Sequence, residues 1–218
     1  MEPVLKSTQR TAHLKFGKKA QKVTALVSIS TLFFLAGCTS TTAAVTVGKN
    51  STSVARVQES VTNILNARKG VDTTGMNLLT GADLATSQAQ FFLISQLLED
   101  EGKSIGITVT PAEAIKEKNV AIKQVGGAAA LPKALVGANI DEKNLDLYFT
   151  SVLYSQRLIA AIEKSGMSAA NAPAALTLAI SEMAKKEGIK VNPRYGKWDS
   201  KSATLVAKDT TSGAVKTK

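Results

Sequence analysis

The chain has one thiol and one imidazole, and both lie near its start. Cys38 is the only cysteine and His13 the only histidine, so the residues after Cys38 contain neither side chain. A Ser-His-Asp triad, a Cys-His pair, and metal sites built from histidine or cysteine are therefore excluded beyond that point. A serine-lysine dyad stays open, although no local pattern indicates one. The sequence predicts no enzyme activity, no metal and no cofactor.

Other short stretches carry the residue types of a ligand site. The tripeptide GKS at 102–104 lacks the glycine that a phosphate-binding loop needs five residues earlier, where Leu97 stands, so it favours a helix end at Gly102. Carboxylates cluster at 99–101 and at 141–142. We expect the first cluster to be solvated and the second to complement a helix N-terminus, because calcium would need more converging oxygens.

The stretch VNPRYGKWDS, residues 191–200, interleaves basic and aromatic side chains. Such a mixture can stack on bases or sugars. It can also form a closing strand, because Ile189, Val191, Pro193 and Tyr195 alternate with polar residues. The strand is favoured, with Tyr195 and Trp198 packed against helices and Arg194 and Lys197 in solvent.

The first 37 residues have the pattern of a secretory signal peptide. A basic segment ends at Lys22, and twelve mostly apolar residues follow, too few to span a bilayer comfortably. The next four residues, LAGC, resemble the lipobox of bacterial lipoproteins. That resemblance implies cleavage between Gly37 and Cys38, a diacylglyceryl group on the Cys38 thiol, and acylation of the new amino group. We therefore expect a cell-membrane lipoprotein, lipid-anchored on the extracytoplasmic side; an uncleaved signal anchor is the alternative.

The remaining chain divides into three parts. Residues 38–42 read as a small polar tether, 43–199 as the folded domain, and 200–218 as a disordered tail rich in lysine and small residues. The formal net charge is +10, but without residues 1–37 there are 21 basic and 16 acidic residues. This smaller excess favours anionic lipid or cell-wall polymer over nucleic acid, which we do not expect as a partner.

The folded part has mainly the period of amphipathic helices. Predicted helices begin after Ser51 or Ser53, at Asp83, at Thr110 with Pro111 and Glu113 in a capping box, after Asp141, and at Asn171 with Pro173; a short helix or turn falls near 131–136. Two stretches have a strand period, 43–47 and 189–195, and a lone strand would leave its backbone groups unpaired. The fold class predicted is mostly α, a multi-helix domain closed by a small two-stranded pairing of its N- and C-terminal strands.

Five segments together resemble the SurA N-terminal-like domain of cell-envelope lipoproteins. They are the lipobox, AAVTV before an apolar helix, GITVTPAEA, LDLYFTSVLYSQRLIAAI and VNPRYGKWD, and the likeness extends over residues 43–199. It implies an ATP-independent chaperone that holds unfolded secreted or envelope polypeptides in a hydrophobic groove. Related foldases add a parvulin isomerase domain that uses histidines, and because no histidine follows Cys38, no isomerase activity is expected. The candidate groove aromatics are Phe91, Phe92, Tyr148, Phe149 and Tyr154, each of which also fits a core position.

Two functions from different classes follow. The first is a lipid-anchored holdase. The alternative is a structural or accessory envelope lipoprotein that binds one specific protein or cell-wall partner. Neither reading fixes the oligomeric state.

Overall fold

The structure is a computed structural model that describes residues 42–206. Within this range the chain forms six α-helices and two small antiparallel sheets. In chain order the elements are β1 (Ala43–Val47), β2 (Asn50–Ser53), α1 (Val54–Arg68), α2 (Gly81–Ser104), α3 (Pro111–Gln124), α4 (Leu131–Ala138), α5 (Leu145–Lys164), α6 (Ala172–Glu187), β3 (Ile189–Val191), β4 (Lys197–Asp199) and β5 (Thr204–Val206). Short 3-10 helices lie at Glu142–Asn144 and Pro193–Tyr195. The mostly helical fold class is confirmed. Residues 1–41 and 207–218 lie outside the described residues. Cys38 and the predicted cleavage site between Gly37 and Cys38 therefore lie outside them as well.

The pairing of the first and the C-terminal strands is also confirmed. β1 pairs antiparallel with β3, with Val45 opposite Val191 and Val47 opposite Ile189. The sheet has a third strand that the sequence did not predict, because β2 turns back at Gly48 and pairs along the other edge of β1. Its residues NSTS have no apolar alternation, so their strand character comes from pairing with β1.

The predicted strand 189–195 ends early, at Val191. Pro193 has no backbone N–H for a ladder, and the Asn192 side chain accepts the Arg194 N–H and starts a 3-10 turn instead. The turn carries Tyr195 into the core, where it is 1% exposed and its hydroxyl accepts from Gln58 at 3.1 Å. Tyr195 and the partly buried Trp198 do pack against the core, as predicted, and Arg194 and Lys197 are exposed.

The predicted tail boundary at Ser200 is wrong. Strand β4 pairs with β5, so that Trp198 stands opposite Leu205. Leu205 is 7% exposed and its N–H donates to Gln90 on α2 at 3.0 Å, while the Ser181 hydroxyl on α6 donates to the Ser200 carbonyl at 2.6 Å. The folded domain therefore continues to Val206 at least.

Two predicted ends of α2 are also wrong. The helix begins at Gly81 after Thr80, so Asp83 lies in its first turn and not at the N-cap. At the other end α2 passes through Gly102, which is buried, and stops after Ser104. The Gly102 position packs against Tyr154 of α5, so glycine there allows close helix contact and does not end the helix.

The start predicted for α5 differs as well. Asp141 caps the 3-10 turn that precedes α5 and not α5 itself.

Two clusters of buried side chains hold the elements together. The main core lies between α2, α5, α6 and the two sheets and includes Leu93, Leu97, Leu158 and Ile180. A smaller core lies between α3, α4 and α5 around Phe149. Helix α2 is apolar on more than one side because it contacts α1, α5, α6 and β1, which confirms its predicted central place.

The capping box predicted for α3 is present and extends into an ion pair. Thr110 accepts from the Glu113 N–H, and Glu113 Oε2 accepts from the Thr110 N–H at 2.8 Å. Glu113 Oε1 meets Arg157 Nη2 of α5 at 2.5 Å. The Arg157 bond, and then the bonds from Thr110, lower the pKa of Glu113 from 4.5 to about 2.

We therefore expect Glu113 to titrate near pH 2, and to do so at clearly higher pH in Arg157→Gln, since the guanidinium is the largest cause of the shift. Because the pKa of the folded state is the lower one, the contribution of Glu113 to stability is full above about pH 4.5 and is lost as the pH falls towards 2. An NMR titration of the Glu113 carboxyl carbon measures the midpoint. Lys118→Gln, which removes the ion pair of α3 with Asp146 on α5, should leave the Glu113 midpoint unchanged. An equal shift of the midpoint in both variants would contradict the role assigned to Arg157.

Candidate functional site

A cleft runs between α2 and α5, and we call its two adjoining parts the apolar chamber and the amide chamber. Ser87, Phe91 and Tyr148 line both parts. The apolar chamber has a volume of about 410 Å³ and is completed by Gln90, Ile94, Ser95, Leu98, Ser151, Val152 and Ser155. The amide chamber, about 310 Å³, is completed by Leu79, Gln88, Ala138, Asn139, Ile140, Asp141 and Asn144.

Helical spacing explains why these side chains share a cleft. On α2 the lining positions 87, 91, 94, 95 and 98 are spaced by 4, 3, 1 and 3 residues, which places them on one face. On α5, positions 148, 151, 152 and 155 have spacings of 3, 1 and 3. The two faces meet across the cleft because α2 and α5 pack closely further along, where Gly102 contacts Tyr154.

Of the five predicted groove aromatics, the structure brings Phe91 and Tyr148 together in the cleft. The other three are core residues: Phe92 (7% exposed) and Tyr154 (3%) belong to the main core, and Phe149 (8%) to the smaller one. Adjacent residues on a helix project about 100° apart. In these two pairs Phe92 and Phe149 face the cores, while Phe91 and Tyr148 line the cleft.

Each cleft aromatic rests on a buried aromatic neighbour. The ring centroids of Phe91 and Phe92 are 5.2 Å apart with a tilt of 58°, and those of Tyr148 and Phe149 are 5.1 Å apart and perpendicular. Edge-to-face contact of this kind is favourable for aromatic pairs. Because Phe92 and Phe149 are fixed in the cores, they hold the two cleft rings in place.

Ser95 is a buried hydroxyl without a hydrogen-bond partner among residues 42–206. Its side chain is 4% exposed and lines the apolar chamber. Serine in a helix commonly bonds a carbonyl one turn earlier, and an unpaired buried hydroxyl costs about 1–3 kcal/mol. Sequence reasoning missed Ser95; the stripe Ser87, Phe91, Ser95 and Leu98 was the available signal. The hydroxyl oxygen has less than 1 Å² of accessible surface, so it lies within the wall of the chamber and a ligand reaches it only if that wall shifts.

A hydrogen-bonded network forms the floor of the amide chamber. Ser60 donates to Gln88 Oε1 at 2.8 Å, and Asn144 Nδ2 donates to Ser60 Oγ at 3.0 Å. Gln88 Nε2 in turn donates to the Asn139 carbonyl at 3.0 Å. Gln88 and Asn144 are almost wholly buried, so the bonds fix their amide orientations.

A carboxylate and a guanidinium flank the network. Asp141 is 2% exposed and accepts from Asn63 Nδ2 at 3.0 Å and from the Lys143 N–H at 3.1 Å. Arg56 Nη2 donates to Asn144 Oδ1 at 2.6 Å, while its guanidinium lies 5.5 Å from the Phe92 ring centroid. These groups are held by protein partners, so the chamber is built to present a fixed polar surface.

The side chains of the carboxylate clusters contact other groups of the protein. In the cluster at 99–101, Glu99 pairs with Lys103 at 2.5 Å. All three residues are partly buried, not fully solvated as predicted, and burial raises the pKa of Asp100 and of Glu101. In the range 42–206 no three His, Cys, Asp or Glu side chains come together as metal ligands.

Comparison with known proteins adds no family: no family model, no curated protein and no solved structure matches the chain. Over the described residues, every helix is too short or too polar to cross a membrane.

Proposed function

We propose that the protein is a membrane-anchored extracytoplasmic lipoprotein that holds unfolded segments of secreted or envelope polypeptides without ATP. The observation that carries this proposal is the cleft, where the partly exposed rings of Phe91 and Tyr148 lie among aliphatic side chains. An unfolded chain exposes the complementary groups, large apolar side chains beside backbone amides. The leader and its LAGC sequence support a position outside the cytoplasm.

The cleft suits weak and reversible capture. A chamber of about 410 Å³ accommodates one large side chain with its flanking backbone. Burial of one such side chain is worth about 1.5–3 kcal/mol. Those energies correspond to millimolar or weaker affinity per site, because a Kd of 1 mM requires about 4.1 kcal/mol. A client released at this affinity needs no nucleotide hydrolysis.

A second candidate, an accessory lipoprotein with one specific partner, is favoured by the amide chamber. The amides of Gln88 and Asn144 are fixed by their hydrogen bonds within the protein, so this chamber has a rigid shape that suits one partner better than a random sequence. Photo-crosslinking from Val152 of the apolar chamber in the native envelope separates the two functions. Many crosslinked polypeptides support the holdase; a single species supports the accessory lipoprotein.

The double variant Phe91→Ser/Tyr148→Ser should weaken protection of an unfolded client at least about tenfold, because two apolar contact surfaces are lost. The measurement is light scattering of several unrelated aggregating clients without ATP, with the chain in large molar excess over the client because the expected affinity is weak. Wild-type chain that protects none of them would refute the holdase.

Leu178→Ser is the matched control, since Leu178 is 65% exposed on α6 and lies outside the cleft. The Leu178→Ser chain should protect the client as well as wild type does. A loss of protection equal to that of the double variant would mean that the client binds outside the cleft. Ser95→Ala should raise the melting temperature, because it removes a buried hydroxyl that lacks a partner among residues 42–206.

A further inference from the structure

A recess of about 460 Å³ lies on the outer face of the three-stranded sheet, away from the cleft. Its polar lining comes from Thr46 of β1, Ser51 of β2, and Lys190 and Asn192 at the end of β3. Thr46 stands in register with both Ser51 and Lys190, so the three side chains form a row across one face. The alternate residues of β1, Val45 and Val47, point into the main core.

The chemistry of the recess suits an anion. Two hydroxyls and an ammonium group line it, and no carboxylate of residues 42–206 belongs to its lining. Lys190 is exposed and forms no ion pair with any residue of the range 42–206. The exposed Arg194 follows two residues after Asn192. Glu187 is the acidic residue of this region, and its carboxylate lies over Gly48 at the far end of β1.

The recess also lies where the chain comes from the predicted anchor. Asn192 Nδ2 donates to the Ala43 carbonyl at 3.2 Å, and Val54 N–H donates to the Thr42 carbonyl at 2.7 Å, so the start of β1 is fixed beside the recess. Cys38 precedes Thr42 by four residues, which span at most about 14 Å when extended. A lipid on Cys38 therefore keeps this face close to the membrane surface.

We propose that the recess binds the phosphate-bearing headgroup of an anionic lipid in the membrane that carries the anchor. The Lys190 ammonium pairs with the phosphate, and the Thr46 and Ser51 hydroxyls donate to its oxygens. The site orients the domain on the membrane with the sheet towards the lipid. Its placement rests on the proposed lipid anchor and is independent of the holdase activity.

Lysine acetylation measures occupancy of the recess in the full chain. The chain is reconstituted on phosphatidylcholine vesicles with or without phosphatidylglycerol, and modification of Lys190 and Lys116 is followed by mass spectrometry. Lys190 should react about fivefold more slowly when phosphatidylglycerol is present, since one cation near an anionic surface gains about that factor. Lys116, exposed on α3, is the internal control and should react equally on both vesicles.

Ser51→Glu places a carboxylate in the recess and should abolish the protection. Asn50→Glu adds the same charge one residue earlier, opposite Val47 and so on the α2 side of the sheet, and should retain it. Equal labelling of Lys190 on both vesicles would overturn the proposal, as would equal protection by soluble glycerol 3-phosphate with phosphatidylcholine vesicles. Sedimentation with phosphatidylcholine vesicles tests the anchor separately, and client aggregation tests the holdase.

Discussion

A chain that stops after Gly188 should fail to fold cooperatively. It loses β3, the 3-10 turn and the β4–β5 hairpin, and with them the buried Tyr195 and Leu205 and the partly buried Trp198. At about 1.5–3 kcal/mol for each large apolar side chain, the loss is on the order of 10 kcal/mol, comparable to the whole stability of a typical domain. Thermal unfolding followed by circular dichroism should show no cooperative transition.

Two chains that end later show which part of the C-terminal segment is needed for stability. A chain that stops after Asp199 should be destabilised by about 2–4 kcal/mol, because Leu205 leaves the core and the Ser181 hydroxyl loses its acceptor. A chain that stops after Val206 retains every described contact and is the reference for the two shorter chains. If the chain ending at Gly188 melted like the full chain, the closing role of VNPRYGKWDS would be wrong and a ligand-stacking surface would regain support.

Local signals in the sequence predicted the elements whose stabilising contacts are also local. The α3 start is the clearest case, since Thr110, Pro111 and Glu113 form a capping box within four residues. Asp83 was a plausible N-cap by residue type, yet the chain turns at Thr80 and Gly81, where Gly81 has a positive φ of 52°. Residue type alone does not decide between neighbouring cap positions.

Elements that depend on distant partners could not be predicted in the same way. Leu205 lies in a short polar stretch, and only its pairing with Trp198 and its bond to Gln90 make it part of a strand. The same holds for the cleft. Helical spacing placed Phe91 and Phe92 on α2, but the packing of Phe92 between β1 and α1, beneath Arg56, left Phe91 for the cleft.

The close contact of α2 and α5 at Gly102 supports both the core and the cleft, and Gly102→Ala should disrupt it. A Cβ atom there would lie 2.5 Å from Cδ1 and 2.7 Å from Cε1 of Tyr154, whose ring is fixed in the main core. The helices must separate or the ring must move, and such overpacking costs about 1–3 kcal/mol. Over most of this range the loss exceeds the roughly 1 kcal/mol that alanine gains over glycine within a helix, so the net cost is up to about 2 kcal/mol.

Gly137→Ala in α4 is the matched control, because apart from its chain neighbours and the backbone of its own helix no atom of residues 42–206 lies within 4 Å of its added Cβ. It should raise stability by up to about 1 kcal/mol, so the same substitution in two helices should have opposite signs. Chemical denaturation measures both. Separation of α2 and α5 would also widen the cleft, so Gly102→Ala should lower client protection at temperatures where the variant remains folded. A Gly102→Ala chain as stable as Gly137→Ala would mean that Tyr154 has room to move, and that the contact does not set the width of the cleft.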